Sequence, residues 1–261
     1  MNDLVLYEVL SNVAYITLNR PEKLNAMDDA LLDGVAQQLA RAAADDQARV
    51  VVVRGAGRVF CAGGDIHDMP QQRSEADYRA TRLPIEQNIA RQVRLLGKPL
   101  MAQMHGAAMG GGCILAALCD VRVATADCKF GLPEVRYGTV ASLGGIFLLT
   151  RIIGLGRAFE LLYLGEPFSA QRALEMGLVN RLVSPESLAH EVHAMALQMA
   201  SHFGREMALT RKAILDGLDS DFLAAAEQET LGAMHAHLSG DVIQGFAQAQ
   251  QMLAAKKKVK P

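Results

Sequence analysis

The chain has 261 residues, of which 51% are hydrophobic and 21% charged, so it can bury a large core in one or two domains and is not disordered. Its formal net charge of −2 offers no positive field to nucleic acid, and the lysines at 256–258 and 260 are interpreted as a solvated terminus. No run reaches about 18 apolar residues and no cationic segment precedes a long apolar stretch, so neither membrane association nor secretion is expected.

The first hundred residues alternate between strand-like and helical patterns. Residues 13–18 alternate and are β-branched, which predicts a strand, and residues 49–54 form the short apolar run of a strand covered on both faces. Between these strands, Asp28 or Asp29 is a candidate cap for a helix with apolar residues at 31, 32, 35 and 39. A polar stretch near residues 70–75 is predicted to be mobile, and a helix is expected to follow it to about Arg94.

The same alternation continues to about residue 124. Residues 99–104 predict a strand, and a triple glycine at 110–112 follows within a few residues. Residues 114–118 then predict a buried helix, and residues 121–124 another short strand. Because these strands lie too far apart for simple hairpins, the pattern favours an α/β core with parallel strand pairing.

The C-terminal third has a different pattern. Beyond about Ser184 the strand signal disappears, and three segments predict successive amphipathic helices at 188–203, 205–218 and 222–238. Ala, Leu and Met dominate their apolar stripes, which must cover the core or a neighbouring subunit. We therefore predict a core domain over residues 1–198 and a helical region over residues 199–261.

Several familiar sites are missing from the sequence. The four cysteines show no paired CxxC spacing, which favours a reduced, cytoplasmic compartment, and Cys61 and Cys113 are interpreted as small packing residues. No Walker A loop, GxGxxG opening a βαβ unit or GxSxG elbow occurs, so nucleotide hydrolysis, hydride transfer and ordinary serine hydrolysis lose their best signals. The histidines have no matching carboxylate or cysteine partners, so no metal site is predicted.

Two glycine-rich turns are the most informative feature. The first spans residues 60–65, with Gly64 near its end, and the second is the triple glycine that contains Gly111. Backbone N–H groups in such turns can stabilise an oxyanion without reorganising during the reaction, and a helix dipole at Gly111 would add to this effect. The alternative is that these glycines only make tight strand-to-helix turns.

Six stretches of the chain, in order, resemble the crotonase superfamily, also called the enoyl-CoA hydratase/isomerase family. They include both glycine turns and cover about 160 residues, which makes them far more specific than any single motif. The matching stretches are residues 18–26, 60–66, 110–113, 119–120, 130–134 and 170–179.

The resemblance implies an α/β fold built as a crotonase-like spiral of ββα repeats, with a C-terminal helical region used for trimer assembly and often for a dimer of trimers. It implies an acyl-CoA thioester as substrate, with coenzyme A as part of that substrate and no separate cofactor. By the same resemblance Gly64 and Gly111 hold the thioester oxygen. Residues expected near the coenzyme A moiety are Lys23, Leu24, Ala26, Ala62, Asp65 and Ile66, although Asp65 alternatively caps the next helix.

Glu134 matches one of the family's two acid/base glutamates. Apolar neighbours in the sequence suggest partial burial, which would raise its pKa and suit it to proton transfer near neutral pH. The second glutamate of typical hydratases belongs three residues after the oxyanion glycine, where this chain has Ile114. Isoleucine can neither hold water nor donate a proton, and some single-glutamate isomerases of the family have an apolar residue there.

Two further residues are candidates for the acyl pocket. Ser142 lies where some relatives place a catalytic carboxylate or a water-binding group, and its hydroxyl could hold water or cap a helix. Tyr137 could approach the acyl chain as well.

These residues predict an enzyme that stabilises a thioester enolate and, foremost, moves the double bond of an enoyl-CoA with Glu134 as its single base. Hydration with Glu134 and a water at Ser142 is the close alternative, and decarboxylation or C–C cleavage are others. A protein of another class, a non-catalytic coenzyme A-binding scaffold, is a further alternative, which the presence of Glu134 disfavours.

Overall fold

A computed structural model describes residues 4–66 and 74–258 of the chain. The chain divides into two compact units, Met1–Ser201 and His202–Pro261. The stretch predicted to be mobile near residues 70–75 falls largely outside the described residues. No helix within the described ranges is long and apolar enough to cross a membrane.

The first unit is built around a mainly parallel sheet. Its six strands in the described residues pair in the order β1-β2-β3-β4-β6-β9, with β1 antiparallel to β2 and every later pair parallel. All six residues of β2 and all five of β4 are buried, as expected of strands covered on both faces. The strands are β1 (Val5–Leu10), β2 (Val13–Leu18), β3 (Val50–Gly55), β4 (Leu100–Met104), β6 (Val121–Thr125) and β9 (Arg181–Val183).

A second, small sheet is connected to the two glycine turns. Its order in the described chain is β5-β7-β8, formed by β5 (Ala107–Met109), β7 (Lys129–Gly131) and β8 (Phe168–Ser169). Cys61 bridges to Ala108 of β5 in parallel, so the first turn is attached to this sheet. Cys61 and Cys113 are buried in the core, as predicted, and burial raises the pKa of each thiol to about 12.

Helices cover the sheets of the first unit. The helix α1 begins after Asp28, whose carboxylate accepts a hydrogen bond from the backbone N–H of Leu31 at 2.8 Å. Its apolar stripe packs with α3 over the large sheet. The helices are α1 (Asp29–Ala44), α2 (Glu75–Ala80), α3 (Arg82–Leu95), α4 (Gly111–Ala117), α5 (Gly145–Ile153), α6 (Leu155–Leu164), α7 (Ala170–Glu175) and α8 (Leu188–Ala200), with short 3-10 helices at Pro21–Lys23 and Glu134–Tyr137.

The structure corrects three local expectations. The helix expected to end near Arg94 is two helices that meet at Thr81. Ser74, rather than Asp65, caps α2, because its hydroxyl accepts from the backbone N–H of Asp77. Ser142 is not a helix cap, since the residue preceding α5 is Gly144.

The C-terminal unit is helical, as predicted, but the apolar residues of α10 are spread around that helix and do not form a single stripe. It contains α9 (Gly204–Gly217), α10 (Phe222–Leu238) and α11 (Asp241–Lys258), and α9 packs along α10. Asp221 caps α10 by accepting hydrogen bonds from Leu223 and Ala224. No residue of α10 is buried within the chain, and Phe222 and Leu238 remain 82% and 76% exposed.

Candidate active site

A cavity of about 840 Å³ in the first unit collects most of the residues that the sequence singles out. Its walls include both glycine turns, the segment from residue 133 to 143, and the first turns of α1 and α3. Gly64, Gly111, Ile114, Glu134, Tyr137 and Ser142 all line it.

The first glycine turn is held by a parallel bridge between Met27 and Gly64. Met27 donates its N–H to the carbonyl of Gly63 at 2.7 Å and accepts from the N–H of Asp65 at 3.1 Å. Gly63 has φ +98°, and a Cβ there would lie 2.8 Å from the carbonyl oxygen of Met109, so only glycine fits. This arrangement leaves the N–H of Gly64 without an acceptor among the described residues.

The second glycine turn opens α4. Gly110 has φ +48° and ψ −123°, and its N–H donates to the carbonyl of Gly131 at 2.8 Å. Gly111 is the first residue of the helix, so its N–H is one of the unpaired donors at the helix N-terminus. A Cβ on Gly111 would lie 4.0 Å from the amide nitrogen of Gly64. The fold therefore brings the two predicted donors side by side, with the positive end of a helix dipole behind one of them.

Glu134 lies beside these donors, in the 3-10 helix Glu134–Tyr137. Its Oε1 would be 3.1 Å from a Cβ at Gly110. Its Oε2 is buried and accepts no hydrogen bond within the described part of the chain. Burial raises the pKa of Glu134 above its ordinary value of 4.5, and a hydrogen bond from its own backbone amide opposes this only in part.

The raised pKa of Glu134 predicts the pH dependence of any reaction in which this carboxylate removes a proton. The carboxylate form is lost as the pH falls through the raised pKa, so the acid limb of kcat/KM is expected above pH 4.5. Measuring kcat/KM from roughly pH 4 to 8, with circular dichroism to verify folding, tests this, and an acid limb at or below 4.5 would contradict it.

Ile114 closes the wall where a second glutamate would stand in typical hydratases. It is 1% exposed and belongs to the main core. A Cβ at Gly145 would lie 2.2 Å from its Cγ2 and 2.6 Å from its Cδ1, so the side chain fills the space that this glycine leaves. The cavity wall near the two amides is therefore apolar at the position where typical hydratases have a second acid.

The structure adds a charged cluster that sequence reasoning missed. Glu86 of α3 accepts hydrogen bonds from the Nε of Arg82 at 2.7 Å and from the hydroxyl of Ser142 at 3.1 Å. Arg82 also pairs with Asp29 of α1 at 2.9 Å. The only sequence signal is the i,i+4 spacing of Arg82 and Glu86, which is also common on solvated helix surfaces.

Tyr137 lines the mouth of the cavity and is mostly exposed. The neighbouring Arg136 is oriented elsewhere: its Cγ and Cδ pack over Gly165, where a Cβ would approach them within 3 Å. The two residues, whose orientation the sequence leaves open, thus face different surroundings.

The six residues predicted to lie near coenzyme A occupy one region before and within the first turn. Ala62 and Ile66 line the cavity, and Ala62 donates its N–H to the carbonyl of Leu24 at 3.0 Å. Asp65 is buried and pairs with Arg20 at 3.0 Å and with Lys23 at 3.5 Å. Lys23 and Ala26 are joined by a backbone hydrogen bond of 3.0 Å.

Comparison with known proteins shows the family of this chain. The family model for enoyl-CoA hydratase/isomerase matches residues 8–258. The chain belongs to the enoyl-CoA hydratase/isomerase family. It is 33% identical over 256 residues to the short-chain-enoyl-CoA hydratase of Clostridium acetobutylicum, covering 93% of this chain and 97% of that protein.

Solved structures of the enoyl-CoA hydratase/isomerase family match the whole fold. An enoyl-CoA hydratase from Mycobacterium smegmatis superposes with a TM-score of 0.89 at 29% identity, covering 95% of this chain and 96% of that one. A monofunctional enoyl-CoA isomerase from the same organism superposes with a TM-score of 0.74 at 32% identity, covering 87% and 99%. The predicted crotonase fold is thus confirmed, and relatives of both reaction types share it.

Proposed function

We propose that this family member isomerises the double bond of an unsaturated acyl-CoA thioester with Glu134 as its base. The observation that carries the proposal is the pairing of one desolvated carboxylate with two adjacent free amides, while Ile114 occupies the position of the other carboxylate. One base suffices for isomerisation, because the same proton can leave one carbon and return to another.

In the proposed reaction, the thioester oxygen of a 3-enoyl-CoA accepts hydrogen bonds from Gly64 and Gly111. Glu134 removes a proton from the α carbon, and the electrons of that C–H bond form an extended enolate stabilised by the two amides. The protonated Glu134 then returns the proton to the γ carbon. The double bond moves from the β,γ to the α,β position, and the enzyme ends in its starting protonation state.

Incubation with 3-enoyl-CoA in deuterated water tests this proposal. The expected product is a 2-enoyl-CoA. It carries deuterium at the γ carbon to the extent that the proton held by Glu134 exchanges with solvent before it is returned. Formation of the 2-enoyl product, or of the 3-hydroxyacyl product derived from it, by the wild-type protein supports the reaction. Failure to form either product from a panel of chain lengths would contradict it. A non-catalytic scaffold would bind the thioesters without any turnover.

We also propose that Lys23, Leu24, Ala26, Ala62, Asp65 and Ile66 form the coenzyme A-binding region. Support comes from their grouping around the first glycine turn, next to the proposed thioester site. Because Asp65 is paired with Arg20 and Lys23, its role would be to position Lys23 rather than to contact coenzyme A directly.

The assembly is proposed to be a homotrimer or a dimer of trimers. The large apolar side chains exposed along α10 support burial against another subunit. We expect light scattering to give a mass of three or six chains, and Phe222→Asp with Leu238→Asp to lower it. The variant Gln228→Asp, at an exposed polar position of the same helix, is expected to keep the native mass; a monomeric wild-type protein would contradict the proposal.

A further inference from the structure

We propose that Glu86 is a second catalytic carboxylate of this cavity, which activates a water molecule for addition to the β carbon of a 2-enoyl-CoA. The enzyme would then hydrate the product of its own isomerisation, with the second carboxylate supplied by α3 instead of α4. This inference rests on the proposed function, because it needs the thioester held by Gly64 and Gly111 and proton donation by Glu134.

The hydrogen bonds of Glu86 leave one of its oxygens available. Both donors, Arg82 and Ser142, bind the same oxygen, Oε1. Among the described residues nothing donates to Oε2, and that oxygen is not sealed in the protein interior, since Glu86 lines the cavity and the atom is not among the buried unpaired ones. Glu86, whose side chain is only 10% exposed, therefore has one free acceptor oxygen beside the cavity that it lines.

The two carboxylates of the cavity have opposite surroundings. Glu86 is held against a guanidinium, which is itself shared with Asp29, and this ion pair makes it a hydrogen-bond acceptor. No cation in the described part of the chain pairs with Glu134, and burial raises its pKa, which favours the protonated form. Two carboxyl groups in contrasting environments are the usual arrangement of a base and an acid in one site.

A continuous set of contacts connects the two carboxylates around the apolar wall. Glu134 approaches Gly110, and the N–H of Ile114 donates to the carbonyl of Gly110 at 3.0 Å. The side chain of Ile114 packs over Gly145, whose N–H donates to the carbonyl of Ser142 at 3.0 Å. The hydroxyl of Ser142 donates a hydrogen bond to Glu86, and its oxygen still has lone pairs that can accept a hydrogen bond from water.

The proposed step is balanced in protons and electrons. A water molecule donates one hydrogen bond to Oε2 of Glu86 and one to the hydroxyl of Ser142, which directs an oxygen lone pair at the substrate. As the new O–C bond forms at the β carbon, Glu86 takes the water proton and the π electrons move into the thioester enolate. Glu134 then gives its proton to the α carbon, and proton exchange with solvent restores both glutamates.

The test compares hydration with isomerisation in Glu86→Gln. Glutamine keeps an oxygen that can accept from Arg82 and Ser142, but it cannot take a proton from water. We expect the ratio of 3-hydroxyacyl-CoA formation to 3-enoyl-CoA isomerisation to fall by about 100-fold or more. The matched control is Glu75→Gln, which removes the same i,i+4 pair with an arginine at an exposed site outside the cavity and should keep the wild-type ratio.

A second variant, Glu86→Asp, serves as the test if Glu86→Gln fails to fold. It keeps the negative charge but withdraws the carboxylate by one methylene group, so it should also lower the ratio of hydration to isomerisation. The proposal is overturned if wild-type protein isomerises 3-enoyl-CoA without forming any 3-hydroxyacyl-CoA. It is also overturned if the variants lower both rates equally, which would show a structural role. Loss of isomerisation in the wild-type protein would instead contradict the proposed function.

Discussion

Replacing Glu134 with glutamine is expected to lower the rate of isomerisation by about 10³-fold, because the amide cannot accept the α proton. Thioester binding should be retained, since the amides of Gly64 and Gly111 remain in place. Turnover of 3-enoyl-CoA and the dissociation constant of a non-reactive acyl-CoA are the measurements. Glu166→Gln, at an exposed position outside the cavity, should behave as the wild type; unchanged turnover in Glu134→Gln would contradict the mechanism.

The same substitution is expected to stabilise the protein modestly at neutral pH, by about 1 kcal/mol, because active-site residues often lower stability. The folded state holds the Glu134 proton more tightly than the unfolded state, so this group makes stability decline as the pH rises through the window between its ordinary and its raised pKa. Glutamine removes that decline. The difference in thermal midpoint between variant and wild type should therefore be larger at pH 7 than at pH 4.

Gly145→Ala is expected to destabilise the protein by about 2–3 kcal/mol, the upper part of the range for overpacking. The added Cβ would lie 2.2 Å from Cγ2 of Ile114, and a buried side chain has little room to move aside. Denaturant unfolding gives the free energy. Because Ile114 lines the cavity, a shift of its side chain is also expected to reduce activity.

Two companion variants serve as controls for the Gly145→Ala prediction. Gly156→Ala, early in α6, adds a Cβ with no atom within 4 Å and should leave stability unchanged or slightly raised. Ile114→Ala combined with Gly145→Ala should be less unstable than the sum of the two single variants, since the new methyl group enters the space that Ile114 vacates. Additive effects would show that the two residues are not packed as described.

The periodicity of hydrophobic residues alone predicts much of the secondary structure of this chain. The strands at residues 13–18, 49–54, 99–104 and 121–124 and the late helices agree with the structure within a few residues, because period 2 and period 3.6 are local properties. The antiparallel strand β1 was not predicted, because Leu6 and Leu10 are apolar although they lie on its exposed face, which hides the alternation in the sequence. The division between α2 and α3 at Thr81 was also missed, although Pro84 in the first turn of α3 is a signal for a helix start close to this boundary.

The sequence by itself determined the family, the two glycine turns and Glu134, because each is a short motif whose chemistry depends on neighbours in the chain. Only the tertiary structure decided that the amides of Gly64 and Gly111 meet, since 47 positions separate them in the sequence. It also decided that Glu86 accepts a hydrogen bond from Ser142, 56 residues away in the sequence, and that both residues line one cavity. On a helix, an arginine and a glutamate four positions apart have the same pattern whether water or a substrate pocket faces them, and only the packing of other elements distinguishes the two.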